Sequence, residues 1–178
     1  MKLTIINKIA KRSVLVMAIA STSSCKDYLN IDNYFDDEFR RFTSNHRSAL
    51  NSIAIALLDE DEIEKATEIL NFGIAKMPNE AIAYDLASGQ SVPLFFEVGE
   101  DEKALDIIEK MTVKSIQLLE FYAETNREYD REAMISLEML RYFVPLLEDE
   151  GYNDLAAELK RDLERFVGTS GGNRIDRT

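Results

Sequence analysis

The side chains that most often carry out catalysis or bind metals are scarce in this chain. His46 is the only histidine among 178 residues, and Cys25 is the only cysteine. A site of two or three histidines, a cysteine-rich zinc site and an internal disulfide framework are therefore impossible. A lone helix histidine is more often packed or exposed than a general base, and paired carboxylates such as Glu60 and Glu64 indicate a solvated helix face. We therefore expect that the protein is not an enzyme and that it binds neither a metal nor a cofactor.

Three side chains at the start of the first predicted helix are better candidates for binding. Arg41, Asn45 and Arg47 can hold a carboxylate, or the acidic terminus of a partner, through charge-assisted hydrogen bonds. The alternative is that they pair with acids of this chain, such as Asp85. The excess of acids favours the alternative.

The charge of the chain excludes a nucleic-acid partner. It holds 21 basic and 33 acidic residues, for a net charge of -12. Residues 1–24 contain four bases (Lys2, Lys8, Lys11 and Arg12) and no acid, so without them 21 less 4, or 17, bases stand against 33 acids, a net charge of -16. A body this acidic repels a phosphate backbone.

The amino terminus has the layout of a secretory signal. A basic stretch ends at Arg12, the short apolar stretch SVLVMAIA follows, and small residues precede Cys25. That apolar stretch is too short to cross a bilayer. A cysteine directly after small residues resembles the lipobox of bacterial lipoproteins, although Thr22 stands where leucine is usual. We expect a signal peptide at 1–24, lipidation of Cys25 as a membrane anchor, and a lipidated tether at 25–34; an ordinary cleaved signal, or a start codon inside a longer gene, are the alternatives.

Residues 25–30, CKDYLN, resemble the start of mature outer-membrane lipoproteins of Bacteroidota, including the SusD-like glycan-binding proteins. The resemblance implies a lipid-anchored protein of the outer membrane or periplasm. It also keeps a glycan as an alternative ligand.

Apolar periodicity predicts an all-α domain at 35–167. The predicted helices cover about 37–58, 63–76, 80–98, 102–125, 129–148 and 153–167, and a disordered tail follows at 168–178. Asn79 is the expected cap of the third helix, which Gly89 and Pro93 should interrupt. Gly99 and Gly151 occupy the same turn position in two hairpins, where a left-handed backbone is expected.

A hairpin signal occurs three times along this domain. An alanine follows nine residues after a large apolar residue in each copy: Ala66 after Leu57, Ala104 after Phe95 and Ala156 after Leu147. The first copy resembles the tetratricopeptide pattern through Leu50, Ile53, Ala54, Leu57, Ala66, Leu70 and Pro78. The prediction is a tetratricopeptide-like stack of three helical hairpins, about six helices in all.

From residue 33 to about 166 the chain resembles the carboxy-terminal soluble region of Bacteroidota membrane proteins that are similar to protein O-mannosyltransferases. The matching stretches are NYFDDEFRRFTSNHR, MPNE, YDLAS and VGEDEKA. The membrane-spanning catalytic body of those proteins is absent here, so their transferase activity does not carry over. The resemblance implies a periplasm-facing helical accessory domain.

A scaffold of this kind binds its partner on the concave face, which the first helix of each hairpin lines. The candidates on that face are Asn51, Ile55, Leu58, Gly89, Phe96 and Arg141. The expected partner is a protein or peptide of the cell envelope. A sugar-stacking platform is the alternative for the aromatic residues Phe95, Phe96, Phe121, Tyr122, Tyr129, Tyr142 and Phe143, for which core packing is favoured.

Overall fold

The computed structural model describes residues 37–125 and 128–170, which form six α-helices and no strand. The helices are α1 (Asp37–Asp59), α2 (Ile63–Lys76), α3 (Leu86–Glu97), α4 (Asp101–Thr125), α5 (Arg131–Asp149) and α6 (Asn153–Ser170). The fold is therefore all-α, as the periodicity predicted. Cys25, the predicted signal peptide, the tether and residues 171–178 lie outside the described residues.

The helices pack as three successive hairpins, α1 with α2, α3 with α4, and α5 with α6. The hairpins are joined in two different ways. The first two meet mainly through α1 and α3, whereas the second and third meet mainly through the long helix α4 and α5. Helices α3 and α5 touch over a shorter stretch. This change in packing leaves part of the surface between α3 and α5 uncovered.

The same turn joins the two helices of every hairpin. An N–H···O=C bond across five residues closes each turn, from Glu62 to Leu57 (2.8 Å), from Glu100 to Phe95 (2.8 Å) and from Tyr152 to Leu147 (2.7 Å). The residue before each donor has a left-handed backbone: Asp61 (φ 60°), Gly99 (φ 76°) and Gly151 (φ 78°). The predicted role of the two glycines is confirmed, and Asp61 takes the same position in the first hairpin.

Small residues allow the helices of a hairpin to approach closely. Ala54, Ala66, Ala104 and Ala156 are fully buried. A methyl group added at Gly73 would lie 3.2 Å from Cδ1 of Leu50, so this position is nearly filled as well. One apolar core runs through all three hairpins and includes Phe95, Phe143 and Leu140.

The third helix differs from its prediction. It begins at Leu86 instead of near residue 80, because Asp85 is the N-cap and forms a capping box with Ser88. Asn79 instead accepts a hydrogen bond from the backbone N–H of Tyr84 over 3.0 Å, within the preceding loop. Helix α3 also continues through Pro93 without interruption. Most of its residues are buried, so tertiary packing offsets the lost hydrogen bond at the proline.

The last helix is longer than expected. It continues to Ser170, three residues into the predicted tail. Among residues 37–125 and 128–170, no helix is long and apolar enough to cross a membrane.

Candidate functional site

Arg47, one of the candidate binding residues, is a structural residue. It is only 6% exposed. Its guanidinium donates hydrogen bonds to three main-chain oxygens of the α2–α3 loop, those of Ile82 (2.8 Å), Met77 (3.0 Å) and Ala83 (3.1 Å). A buried cation needs hydrogen-bond acceptors of this kind. Through these bonds Arg47 connects α1 to the α2–α3 loop.

The intramolecular alternative for Arg47 is confirmed. Its Nη1 lies 3.4 Å from Oδ1 of Asp85, the residue that caps α3. The guanidinium also lies over the ring of Tyr84, 5.5 Å from its centroid. Burial raises the pKa of the Tyr84 hydroxyl above its ordinary value.

Arg41 and Asn45 do not join Arg47. Both are exposed, whereas Arg47 lies on the buried stripe of α1 with Thr43 and Asn51. A helix turns by about 100° per residue, so side chains six residues apart point in different directions. The three side chains therefore do not form one anion-binding cluster.

Three of the concave-face candidates lie in the interior. Asn51 is buried and donates to the backbone oxygen of Ala87 over 2.8 Å. Phe96 is buried with its ring centroid 5.8 Å from that of Tyr152. A methyl group at Gly89 would lie 2.6 Å from the sulfur of Met139, so glycine permits close approach of α3 and α5. All three residues join one helix or hairpin to the next.

The other candidates reach the surface to different degrees. Ile55 is exposed, Leu58 is half-buried against the core, and Arg141 is exposed with an ion pair to Glu138 three residues earlier on the same helix. A surface pair of this kind contributes little to stability, so Arg141 stays accessible to a partner.

An apolar groove between α3 and α5 is the most distinctive surface of the described residues. Its volume is about 580 Å³, and its lining consists of Leu86, Gln90, Arg131, Met134, Ile135, Glu138, Met139 and Tyr142. Four of these are large apolar or aromatic side chains that remain exposed: Leu86, Met134, Ile135 and Tyr142. Exposed apolar residues gathered in one concavity indicate a binding surface.

Sequence reasoning missed most of this groove. The predicted residue Arg141 lies one helical turn beyond Glu138 on α5, and Glu138 lines the groove. The prediction therefore reached only the edge of the groove. A signal was present in Met134 and Ile135, since both interrupt the polar face of α5. It was not decisive, because the same spacing also fits burial against a further helix.

The aromatic residues for which a sugar-stacking platform was the alternative to core packing are divided between core and surface. Phe95, Phe96 and Phe143 are buried, which confirms core packing for them. Tyr142 is exposed in the groove, and Phe121 is exposed on α4.

The lone histidine is held by its own helix. The ring centroid of His46 lies 4.0 Å from that of Phe42, and Nδ1 lies 2.9 Å from the backbone oxygen of Phe42. The part of the chain that the structure describes contains no cluster of three or more metal-ligating side chains.

Comparison with known proteins found no protein-family model, no curated protein and no solved structure that matches this chain.

Proposed function

We propose that this chain is a non-catalytic helical-repeat scaffold that binds a protein or peptide of the bacterial cell envelope. The groove between α3 and α5 is the observation that carries the proposal. Its floor exposes Leu86, Met134, Ile135 and Tyr142, which are 43–51% exposed, so their complete burial by a partner would contribute roughly 1 kcal/mol each. Its rim carries Gln90, Arg131 and Glu138, which can orient a partner through polar contacts.

The membrane anchor is the second part of the proposal, and it rests on Cys25 and the residues before it. Acyl chains on that thiol would hold the scaffold at the outer membrane or in the periplasm, facing envelope proteins. The acidic body would keep its surface away from anionic lipid headgroups, leaving the groove open to a partner.

The groove can be tested with one variant and a closely matched control. Ile135 in the groove and Val113 on α4 are each 43% exposed, and both are aliphatic residues within helices. Glutamate at either position should leave folding intact. A photo-activated cross-linking residue placed at each position in turn, in cells that carry the full chain, reports which surface contacts a partner.

We expect a defined envelope protein to be cross-linked from position 135 and not from position 113. Ile135→Glu should reduce its recovery from detergent-solubilised envelopes at least tenfold, and Val113→Glu should leave it unchanged. Equal recovery with both variants would refute the groove as the binding surface.

A glycan array run with the same proteins tests the alternative, a SusD-like glycan-binding lipoprotein. The observation that favours it is the exposed ring of Tyr142 in the groove. If the chain binds a glycan, loses that binding in Tyr142→Ala and retains no envelope protein, the glycan-binding alternative replaces the scaffold proposal. An enzymatic activity that the variant His46→Ala lacks would refute the proposal that the chain is non-catalytic.

The anchor has its own test. Metabolic labelling with a fatty-acid analogue should mark the wild-type chain and leave Cys25→Ala unlabelled. Equal labelling of the two proteins would remove the anchor from the proposal while leaving the groove untouched.

A further inference from the structure

The walls of the groove decide which backbone conformation a bound segment can have. Both walls are α-helices, so beyond their first turns, at Leu86 and Arg131, the backbone N–H groups along the groove are already used within each helix. An extended segment would find no sheet edge with which to pair its own backbone groups. A polyproline segment needs a groove lined with aromatic rings, and Tyr142 is the only aromatic residue of this lining. A helix, which satisfies its own backbone, remains.

The size and chemistry of the floor fit one face of such a helix. The lining on α5 runs from Arg131 to Tyr142, which at 1.5 Å per residue is roughly 16 Å, or about three helical turns. Met134 and Met139 contribute flexible thioether side chains, which adapt to different apolar partners. The matching face would carry large apolar residues at i, i+3 or i+4, and i+7.

The three hairpins point in the same direction, so their turns lie along one edge of the stack. Two contacts between each pair of neighbouring hairpins establish this alignment: Arg47–Ala83 with Asn51–Ala87, and Gly89–Met139 with Phe96–Tyr152. Within each pair of contacts both chains run in the same direction.

That edge is strongly acidic. It carries Asp59, Glu60, Asp61, Glu62 and Glu64 at the first turn, Glu97, Glu100, Asp101 and Glu102 at the second, and Glu148, Asp149, Glu150 and Asp154 at the third. Glu97 and Glu148 are exposed near the ends of α3 and α5, beyond the groove at the side of Tyr142. Arg131 lines its opposite end. Because the exposed acids Asp130 and Glu132 flank Arg131, that end carries both signs of charge, and the end at the turns is the strongly anionic one.

We propose that the groove takes an amphipathic helix of about three turns from a partner protein, with lysine or arginine residues at the end that lies over the acidic turns. This inference rests on the proposed function, since it specifies the occupant of the same groove. The acidic turns at one end fix the direction of the bound helix and exclude a helix that places acids over them.

A display library of 20-residue peptides, selected against the wild-type chain, provides the test. Selection against Ile135→Glu removes peptides that bind elsewhere, and selection against Val113→Glu is the matched control. We expect the enriched peptides to share an apolar stripe with period 3.6 and a basic end. Enriched extended, proline-rich or acidic peptides would overturn the inference, as would the lack of any enrichment that depends on Ile135.

The charge assignment is measured on the best enriched peptide by fluorescence anisotropy. Replacing both Glu97 and Glu148 by glutamine should lower the affinity for the basic peptide about 3- to 10-fold. The same peptide with its bases replaced by glutamine should bind this variant and the wild type equally. Equal affinity of the basic peptide for the two proteins would refute the charge assignment.

Two outcomes separate this inference from the proposed function. A cross-linked envelope protein that contacts position 135 through a strand or loop would leave the scaffold standing and remove the helix. A dimer of this chain that Ile135→Glu dissociates, measured by analytical ultracentrifugation, would replace the partner helix with a second copy.

Discussion

Replacing Arg47 by methionine should destabilise the protein by about 3 kcal/mol, because it removes the link between α1 and the α2–α3 loop. The guanidinium serves three backbone oxygens and Asp85 while remaining 6% exposed. Hydrogen bonds to a charged group contribute about 1.5–3 kcal/mol each, and breaking a buried ion pair costs about 3–5 kcal/mol. The loss is smaller than the sum, because Ala83 is exposed and water can reach the loop. Methionine retains most of the packing of the arginine stem.

Urea unfolding followed by circular dichroism measures this loss. Arg47→Lys should cost about 2 kcal/mol, since one ammonium cannot reach all the oxygens that the planar guanidinium spans. Arg41→Met is the control on the same helix; Arg41 is exposed, and its replacement should change the free energy of unfolding by less than about 0.5 kcal/mol. If Arg47→Lys is as stable as the wild type, or if Arg47→Met costs no more than Arg41→Met, the structural role of Arg47 is refuted.

Other positions give shorter tests of the same structure. Asp61→Gly should raise the free energy of unfolding by about 0.5–1 kcal/mol and Gly99→Ala should lower it by about 1 kcal/mol, because both have a left-handed backbone; changes of equal sign in urea titrations would contradict this. Burial and a hydrogen bond to Asp101 raise the pKa of Tyr152 to about 12, so this hydroxyl stabilises the fold fully below pH of about 10 and less as the pH rises toward 12. The free energy of unfolding of Tyr152→Phe should not show this decrease at high pH. Identical pH profiles for the variant and the wild type would refute the role of the hydroxyl. Thr112→Val should stabilise the protein by about 1 kcal/mol, because the buried Oγ1 of Thr112 has no hydrogen-bond partner among the described residues; a lower unfolding midpoint would refute this.

The hairpins were predictable because their signals are local. Leu57 and Ala66, like Phe95 and Ala104, lie nine residues apart across one turn, and helix periodicity with turn chemistry acts over that distance. The third helix was misplaced because Asn79 and Asp85 are both good caps. The choice of Asp85 depends on its capping box with Ser88 and on Arg47, which lies 38 residues away in sequence.

The candidate site was less predictable, since exposure depends on how hairpins pack against one another. Arg41 and Arg47 are the same residue type on one helix, yet one is exposed and the other buried against a loop. Ile135 has the spacing of a core residue and remains exposed.

By itself, the sequence determined the all-α class, the three hairpins and the scarcity of catalytic residue types, because composition and short-range spacing are sufficient for these. Only the tertiary structure decided that Arg47, Asn51 and Phe96 join helices and that a groove opens between α3 and α5. The physical reason is the change from α1–α3 packing to α4–α5 packing along the stack. Which faces this change covers depends on contacts between residues far apart in the chain.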